Sequence, residues 1–324
     1  GVVSLDGQEY PLINHNFPTL DPQDPYRLSE DEKSVVEKLL LSFVHNERLQ
    51  QHVQFLYAHG SMYTLYNGNL LYHGCILTEA DGSFTEVTLD GQTYRPRAYL
   101  DRLEQLARRA YFATDDPQVK RQGMDTMWYL WSGPNSPLFG KDKMATFERY
   151  FIADPATHKE SMNAYYIYRD QTSFVRRILE EFGLDPQTAH IVNGHVPVKV
   201  KKGEQPVKAD GQMLVIDGGF SRAYQSQTGI AGYTLIYNSY GFLLSAHNPL
   251  ESRQKAIAEE RDLDSETSVL ETNFNRIRIK DTDQGRAIMR SIEELKLLLN
   301  AYRKGLIKEQ PQQSQPHARS RLGL

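Results

Sequence analysis

Two histidines occupy matching settings in the sequence, His73 in Leu-Leu-Tyr-His-Gly-Cys and His195 in Asn-Gly-His-Val-Pro-Val. Each closes an apolar, strand-like run and adjoins a glycine. A side chain at a strand end is rigidly held, the glycine lets backbone and a metal ion approach closely, and the apolar strand behind excludes water. A neutral imidazole is the commonest biological metal ligand, and an outer acceptor can fix its second nitrogen. The two histidines lie far apart in the chain and have no local code of the H-E-x-x-H kind. Each therefore reads either as a metal ligand or as a structural histidine.

Three other patterns carry less chemistry. Gly219-Phe220-Ser221-Arg222-Ala223 imitates a G-x-S-x-G nucleophile elbow, but Ala223 replaces the final glycine and no helical pattern is expected to start there. The glycines at 229, 232 and 241 form neither G-x-G-x-x-G nor a P-loop, so nothing points to a nucleotide cradle. Lys199, Lys201, Lys202 and Lys208 form a basic segment that could attract an anion and otherwise reads as a solvated loop.

The elements that must position the histidines follow from periodicity. Residues 1–12 read as a hairpin turning at Asp6-Gly7, because that dipeptide tolerates positive φ. Pro18, Pro22 and Pro25 then interrupt regular structure. Ser29 and Glu32 stand in capping-box spacing ahead of one apolar face made by Val35, Val36, Leu39, Leu40, Phe43 and Val44, a pattern that can run to Tyr57 before Gly60. Strands are expected at 69–75, 190–193 and 213–217, and a hairpin from 233–237 and 242–246. Amphipathic helices are expected at 97–112 and 172–182, on either side of an aromatic stretch that holds Trp128 and Trp131. A last helix over 284–308 carries the stripe Ile288, Ile292, Leu295, Leu299, Tyr302 and Leu306, read as the core face of an ordinary helix or as the seat of a partner helix. Residues 311–324 read as a disordered tail. Helices interleaved with strands in this order define an α/β, or layered α+β, fold.

Composition bounds the function. The 324 residues, 40% hydrophobic and 24% charged, predict about two domains and a core that needs no disulfide or structural metal. A formal charge of −4 provides no general basic field for nucleic acid, and no apolar run reaches the ~18 residues of a membrane span. Cys75 is the only cysteine, which excludes an internal disulfide and fits a reducing, cytoplasmic compartment.

His73-Gly74 after one apolar strand and Gly194-His195-x-Pro197 after another resemble the fourth and fifth motifs of calcineurin-like metallophosphoesterases. The longer blocks NGNLLYHGC, WSGPNSPLFGKDKMATFERYFI, NGHVPVKVKKGE and LVIDGGFSRAYQSQTGIAGYTLIYNSYG resemble the class III fructose-1,6-bisphosphatases of Firmicutes, and the likeness covers residues 1–308. The resemblance implies a β-sandwich flanked by helices, and a two-metal centre, usually manganese, that hydrolyses the 1-phosphate of fructose 1,6-bisphosphate. Both histidines would then be ligands of the second metal ion. Lys141 and Arg222 could grip the sugar bisphosphate's phosphates, or serve instead in surface or structural ion pairs. Such chemistry needs no covalent nucleophile on the protein, because phosphoryl transfer relies on positioning and charge neutralisation.

The family's first three motifs, GDxHG, GDxxDRG and GNHE, are absent, and the chain has no Gly-Asp dipeptide. Asn14-His15 lacks the flanking residues of the third motif and reads as structural. The opening block GVVSLDGQEYPL instead resembles the middle of the family's full-length sequence, and the first methionine is Met62. The expectation is therefore a C-terminal half: a hairpin and Pro-rich connection over 1–28, half of a metallophosphatase domain over 29–310 with a helical insertion at about 80–185, and the tail. Such a chain holds no catalytic acid or bridging carboxylate and would be inactive alone. A phosphoprotein or dinucleoside polyphosphate phosphatase, or a non-catalytic regulatory module, are the competing readings, and a homo-oligomer is compatible with all of them.

Overall fold

The computed structural model describes residues 1–308 other than 114, 251, 261–263, 273 and 274, with the side chain of Arg222 also outside the description. The tail expected at 311–324 lies outside the described residues. The chain divides into two compact units, one made of Gly1–Ile236 and Leu243–Leu270, the other of Tyr237–Phe242 and the residues from Glu271 onward.

In the first unit, β1 (Val2–Leu5) and β2 (Gln8–Pro11) form the expected hairpin, with Asp6 at φ 51° and Gly7 at φ 80°. The capping box is present: Ser29 N–H donates to Glu32 at 2.7 Å, and Glu32 N–H donates to Ser29 Oγ at 3.3 Å. The apolar pattern that follows divides into two helices, α1 (Glu30–Val44) and α2 (Glu47–His59), because Asn46 caps a new start by accepting from Leu49 N–H at 2.9 Å. The expected apolar face of α1 buries no residue among those described.

The site-bearing layer is a five-stranded mixed sheet. It contains β3 (Tyr63–Tyr66) and β4 (Asn69–Tyr72), joined by a tight Asn67-Gly68 turn. A second small hairpin follows, β5 (Val87–Leu89) and β6 (Gln92–Tyr94). The helical stretch then supplies α3 (Pro96–Phe112), α4 (Pro117–Ser132), α5 (Thr146–Phe151), α6 (Tyr165–Tyr168) and α7 (Thr172–Glu181). The chain re-enters the sheet as β7 (His190–Asn193), β8 (Val207–Lys208) and β9 (Met213–Val215), giving the order β3-β4-β7-β9-β8. Strands β4, β7 and β9 run parallel, while β3 and β8 close the edges antiparallel. Leu70, Ile191, Met213 and Val215 share one face of the central strands and are buried; on the opposite face Val192 and Leu214 are buried while Leu71 is exposed. Phe174, Val175, Ile178 and Leu179 of α7, with Leu100 and Leu103 of α3, complete that core.

Helix α8 (Arg222–Thr228) corrects the expectation that no helix begins after Gly219-Phe220-Ser221. Ser221 is its N-cap in ordinary extended backbone, φ −63°, so the strained turn of a nucleophile elbow is absent from this segment. The three-stranded antiparallel sheet has the order β10 (Gly232–Asn238), β11 (Gly241–His247), β12 (Ser265–Thr272), the first two forming the expected hairpin. Helix α9 (Arg253–Ala258) lies between β11 and β12 in the chain.

In the second unit, α10 (Asp283–Arg303) ends five residues before the expected end at 308, with Gly305 in left-handed backbone at φ 68°. Of its residues only Gly285 is buried. The stripe from Ile288 to Tyr302 is exposed, so it does not form a core face within the described residues.

Candidate metal centre

The parallel strands β4, β7 and β9 deliver three chain ends to one edge of the sheet. Register pairs Tyr72 with Asn193 and Asn193 with Val215, so the residues following each strand emerge side by side: His73-Gly74, Gly194-His195 and Asp217. Loops at the carboxyl ends of parallel strands are where α/β sheets place ligand sites.

His73 and His195 meet there. His73 Nε2 lies 3.0 Å from His195 Nδ1, with ring centroids 4.9 Å apart and planes at 73°. On its far side, His195 Nε2 is 3.1 Å from the Phe139 carbonyl oxygen. A carbonyl only accepts, so this bond assigns the proton to Nε2 and turns the lone pair of Nδ1 toward His73. His195 itself sits at φ 68°, a conformation uncommon for a residue with a side chain, and it persists only because its surroundings hold it. Burial, followed by the neighbouring His73, holds the imidazole of His195 below its ordinary pKa, which favours the neutral, ligating form.

The carbonyl that orients His195 is itself fixed. Ser136 Oγ donates to Leu130 O and accepts from the backbone N–H groups of Leu138 and Phe139, each at 3.2 Å, which shapes the 136–139 turn. Cys75 N–H donates to the Pro137 carbonyl at 2.8 Å, tying the turn to the residues that follow His73. Gly74 is required at this crossing because a methyl carbon added there would lie 3.0 Å from the Pro137 carbonyl carbon and nearer still to its oxygen.

The donor set fits a divalent transition metal. Two imidazole nitrogens at ordinary bond lengths on neighbouring corners of one coordination shell stand about 3 Å apart, the separation seen between these two. The hydrogen bond from His195 Nε2 to a backbone carbonyl is the outer-shell contact that such ligands typically make. Among the described residues, no group of three or more His, Cys, Asp or Glu side chains gathers to hold an ion. Among the described residues, then, the two imidazoles stand together without a third side chain of these types.

The two phosphate candidates fall out differently. Lys141 ion-pairs with Glu160 at 2.8 Å, and that carboxylate also accepts from Ala145 N–H and lies 3.4 Å from Arg149. The Lys141 ammonium, first among these neighbours, holds the Glu160 carboxyl below its ordinary pKa. Arg222 starts α8 after the Asp217-Gly218-Gly219 turn, and its side chain lies outside the described residues. The basic segment splits: Lys201 and Lys202 are exposed, as a solvated loop requires, whereas the Lys208 side chain is largely buried and pairs with Asp170 at 3.0 Å and Glu204 at 3.5 Å. Sequence reasoning missed the Phe139 carbonyl and Asn193. The signal for Asn193 was its place directly before Gly194-His195; the carbonyl left no signal, because every residue has one.

Fold and site together define a mixed α/β protein that presents paired imidazoles at the carboxyl edge of a parallel sheet core. The chain matches the family described as Firmicute fructose-1,6-bisphosphatase over residues 1–304, and it belongs to that family. It is 56% identical over 314 residues to "Fructose-1,6-bisphosphatase class 3" of Clostridium novyi (strain NT), a match covering 97% of this chain and 47% of that protein. The proteins of the same name from Alkaliphilus metalliredigens (strain QYMF) and Clostridium botulinum (strain Kyoto / Type A2) are 56% and 57% identical, each over 96% of this chain. The chain thus spans about half the length of the curated relatives it matches. No solved structure matches it. No described helix is long and apolar enough to cross a membrane.

Proposed function

We propose that this chain is the C-terminal half of a cytoplasmic class 3 fructose-1,6-bisphosphatase and builds one wall of a two-metal site that hydrolyses the 1-phosphate of fructose 1,6-bisphosphate. The observation that carries this reading is the His73–His195 pair, two imidazole nitrogens 3.0 Å apart in a chain of this family. His73 Nε2 and His195 Nδ1 would hold one ion of the pair, while the Phe139 carbonyl keeps the His195 proton on the far nitrogen. Bound divalent ions, manganese in this reading, supply an activated hydroxide and neutralise the phosphate's charge. The buried β4 and β7 strands behind the histidines limit water at that wall, and Lys141 and Arg222 would meet the substrate phosphates. For Lys141 this requires exchanging Glu160 for phosphate. The mixed sheet and the three-stranded sheet would be the layers that complete a calcineurin-like sandwich with the other half. The reading as a phosphatase for phosphoproteins or dinucleoside polyphosphates draws no support from the relatives' names.

Phosphate release from fructose 1,6-bisphosphate with excess Mn²⁺ tests the reading in two forms of the protein. The isolated chain is expected to be inactive and a polypeptide of the relatives' full length active. In the latter, His195→Ala should remove bound manganese together with turnover. Robust turnover by the isolated chain would sink the incomplete-site reading, and unchanged metal content in His195→Ala would sink the ligand assignment.

A further inference from the structure

Asn193 is the last residue of β7 and precedes Gly194-His195, yet its side chain reaches across to the other histidine's turn. Its amide nitrogen lies 3.3 Å from the Tyr72 carbonyl oxygen, 3.1 Å from that of His73 and 2.8 Å from that of Gly74. Gly194 N–H donates to the same His73 carbonyl at 3.2 Å. The residue is 1% exposed. Three carbonyl acceptors fix which end of the amide faces the turn, since only the NH2 group can donate. The other end, Oδ1, is buried and has no hydrogen-bond partner among the described residues. A buried polar atom without a partner is costly, so this amide is held in place by what its NH2 group does.

We infer that Asn193 is a positioning residue that sets the separation and mutual orientation of His73 and His195. Backbone register alone does not do this. Register aligns Tyr72 with Asn193, but past those residues both chains leave the ladder, and His195 enters left-handed backbone at φ 68°. Beyond the strand ends, the bonds from Asn193 and Gly194 tie the 72–74 turn directly to the 193–195 loop, and the 136–139 turn bridges them only indirectly, through Cys75 N–H and His195 Nε2. Loss of the amide removes the 2.8 Å bond to the Gly74 carbonyl and leaves the His73 carbonyl with the Gly194 N–H alone, which lets the His73 ring turn away from Nδ1 of His195. The inference rests on the metal-centre reading above.

The test uses the whole 324-residue chain and reads the imidazoles directly. Long-range ¹⁵N–¹H spectra of the metal-free chain report the tautomer and mutual hydrogen bond of the two histidines, and a Co²⁺ titration followed by its visible spectrum reports ligation. In Asn193→Ala, the His73–His195 pairing signature should disappear and the Co²⁺ affinity fall by roughly 10- to 100-fold, with circular dichroism unchanged. Asn193→Ser, smaller and still polar, is read in the same way should the alanine variant not fold. The wild-type chain supplies a measurement that needs no substitution: the Asn193 side-chain amide protons should exchange slowly. Exchange at the rate of a surface amide, or an unaltered imidazole spectrum in a folded variant, would overturn the inference. His73→Ala and His195→Ala are run alongside. If they leave Co²⁺ binding untouched, it is the ligand reading that fails, and the imidazole spectra still decide the role of Asn193.

Discussion

Gly74→Ala should damage the centre through sterics alone. Gly74 does not occupy left-handed backbone, so alanine brings no φ penalty, and the whole effect comes from its methyl carbon. That carbon would stand 3.0 Å from the Pro137 carbonyl carbon and 3.1 Å from Leu138 Cα, with the carbonyl oxygen closer again. Backbone atoms cannot rotate aside, so the 137–138 segment must retreat by roughly an ångström before contacts relax toward the usual ~3.5 Å. Such a shift breaks the 2.8 Å bond from Cys75 N–H to Pro137 O. An unmet buried donor costs about 1–3 kcal/mol and overpacking a tight site about 1–3 kcal/mol more. The expected loss of stability is therefore about 2–6 kcal/mol, a large share of the 5–15 kcal/mol typical of folded proteins. The same displacement moves the Phe139 carbonyl off His195 Nε2, so metal affinity should fall as well. Urea unfolding and Co²⁺ titration of the purified chain measure the two effects. A stability within about 0.5 kcal/mol of wild type, together with unchanged Co²⁺ affinity, would refute the reasoning, because it would mean the turn yields freely at this crossing.

Two further outcomes are expected. Burial pushes the Cys75 thiol up to about 12, so a thiol reagent at pH 8 should leave the native chain unmodified and label one site after denaturation; rapid stoichiometric labelling of the folded chain would contradict the buried placement. Glu160 is held below its ordinary pKa, chiefly by Lys141, so its contribution to stability is present above the unfolded value near 4.5 and is lost as the pH falls through the lower folded value. The stability gap between wild type and Glu160→Gln should therefore be full at pH 7 and shrink below about pH 4.5; a gap that stays constant down to pH 3 would show that the carboxylate's charge does not matter there.

Much of the local structure was legible because its causes lie within a few residues. Asp6-Gly7 made its turn and Ser29 and Glu32 closed their capping box through contacts at short sequence separation, and the apolar faces of α3 and α7 showed in local spacing although the core they meet is gathered from distant residues. Legibility failed where distant partners decide. The continuous 29–57 pattern concealed the restart at Asn46, whose small side chain satisfied the helix start that follows it. The stripe of α10 read as a core face or as the seat of a partner helix, because periodicity reports only that a helix has an apolar side and not what covers it. Lys208 read as solvated because its partners, Asp170 and Glu204, are brought to it by folding.

The sequence by itself determined the fold class, the family resemblance and the two histidines that end apolar strands beside glycines. Those properties depend on residue type, order and local spacing. The tertiary structure decided that the histidines face each other at 3.0 Å, that the Phe139 carbonyl fixes the His195 tautomer, and that Asn193 holds the two turns together. The physical reason is that β4 and β7 pair in parallel across a long helical excursion. Register between parallel strands is set by hydrogen bonds and burial distributed over the whole sheet, and no short stretch of sequence carries it.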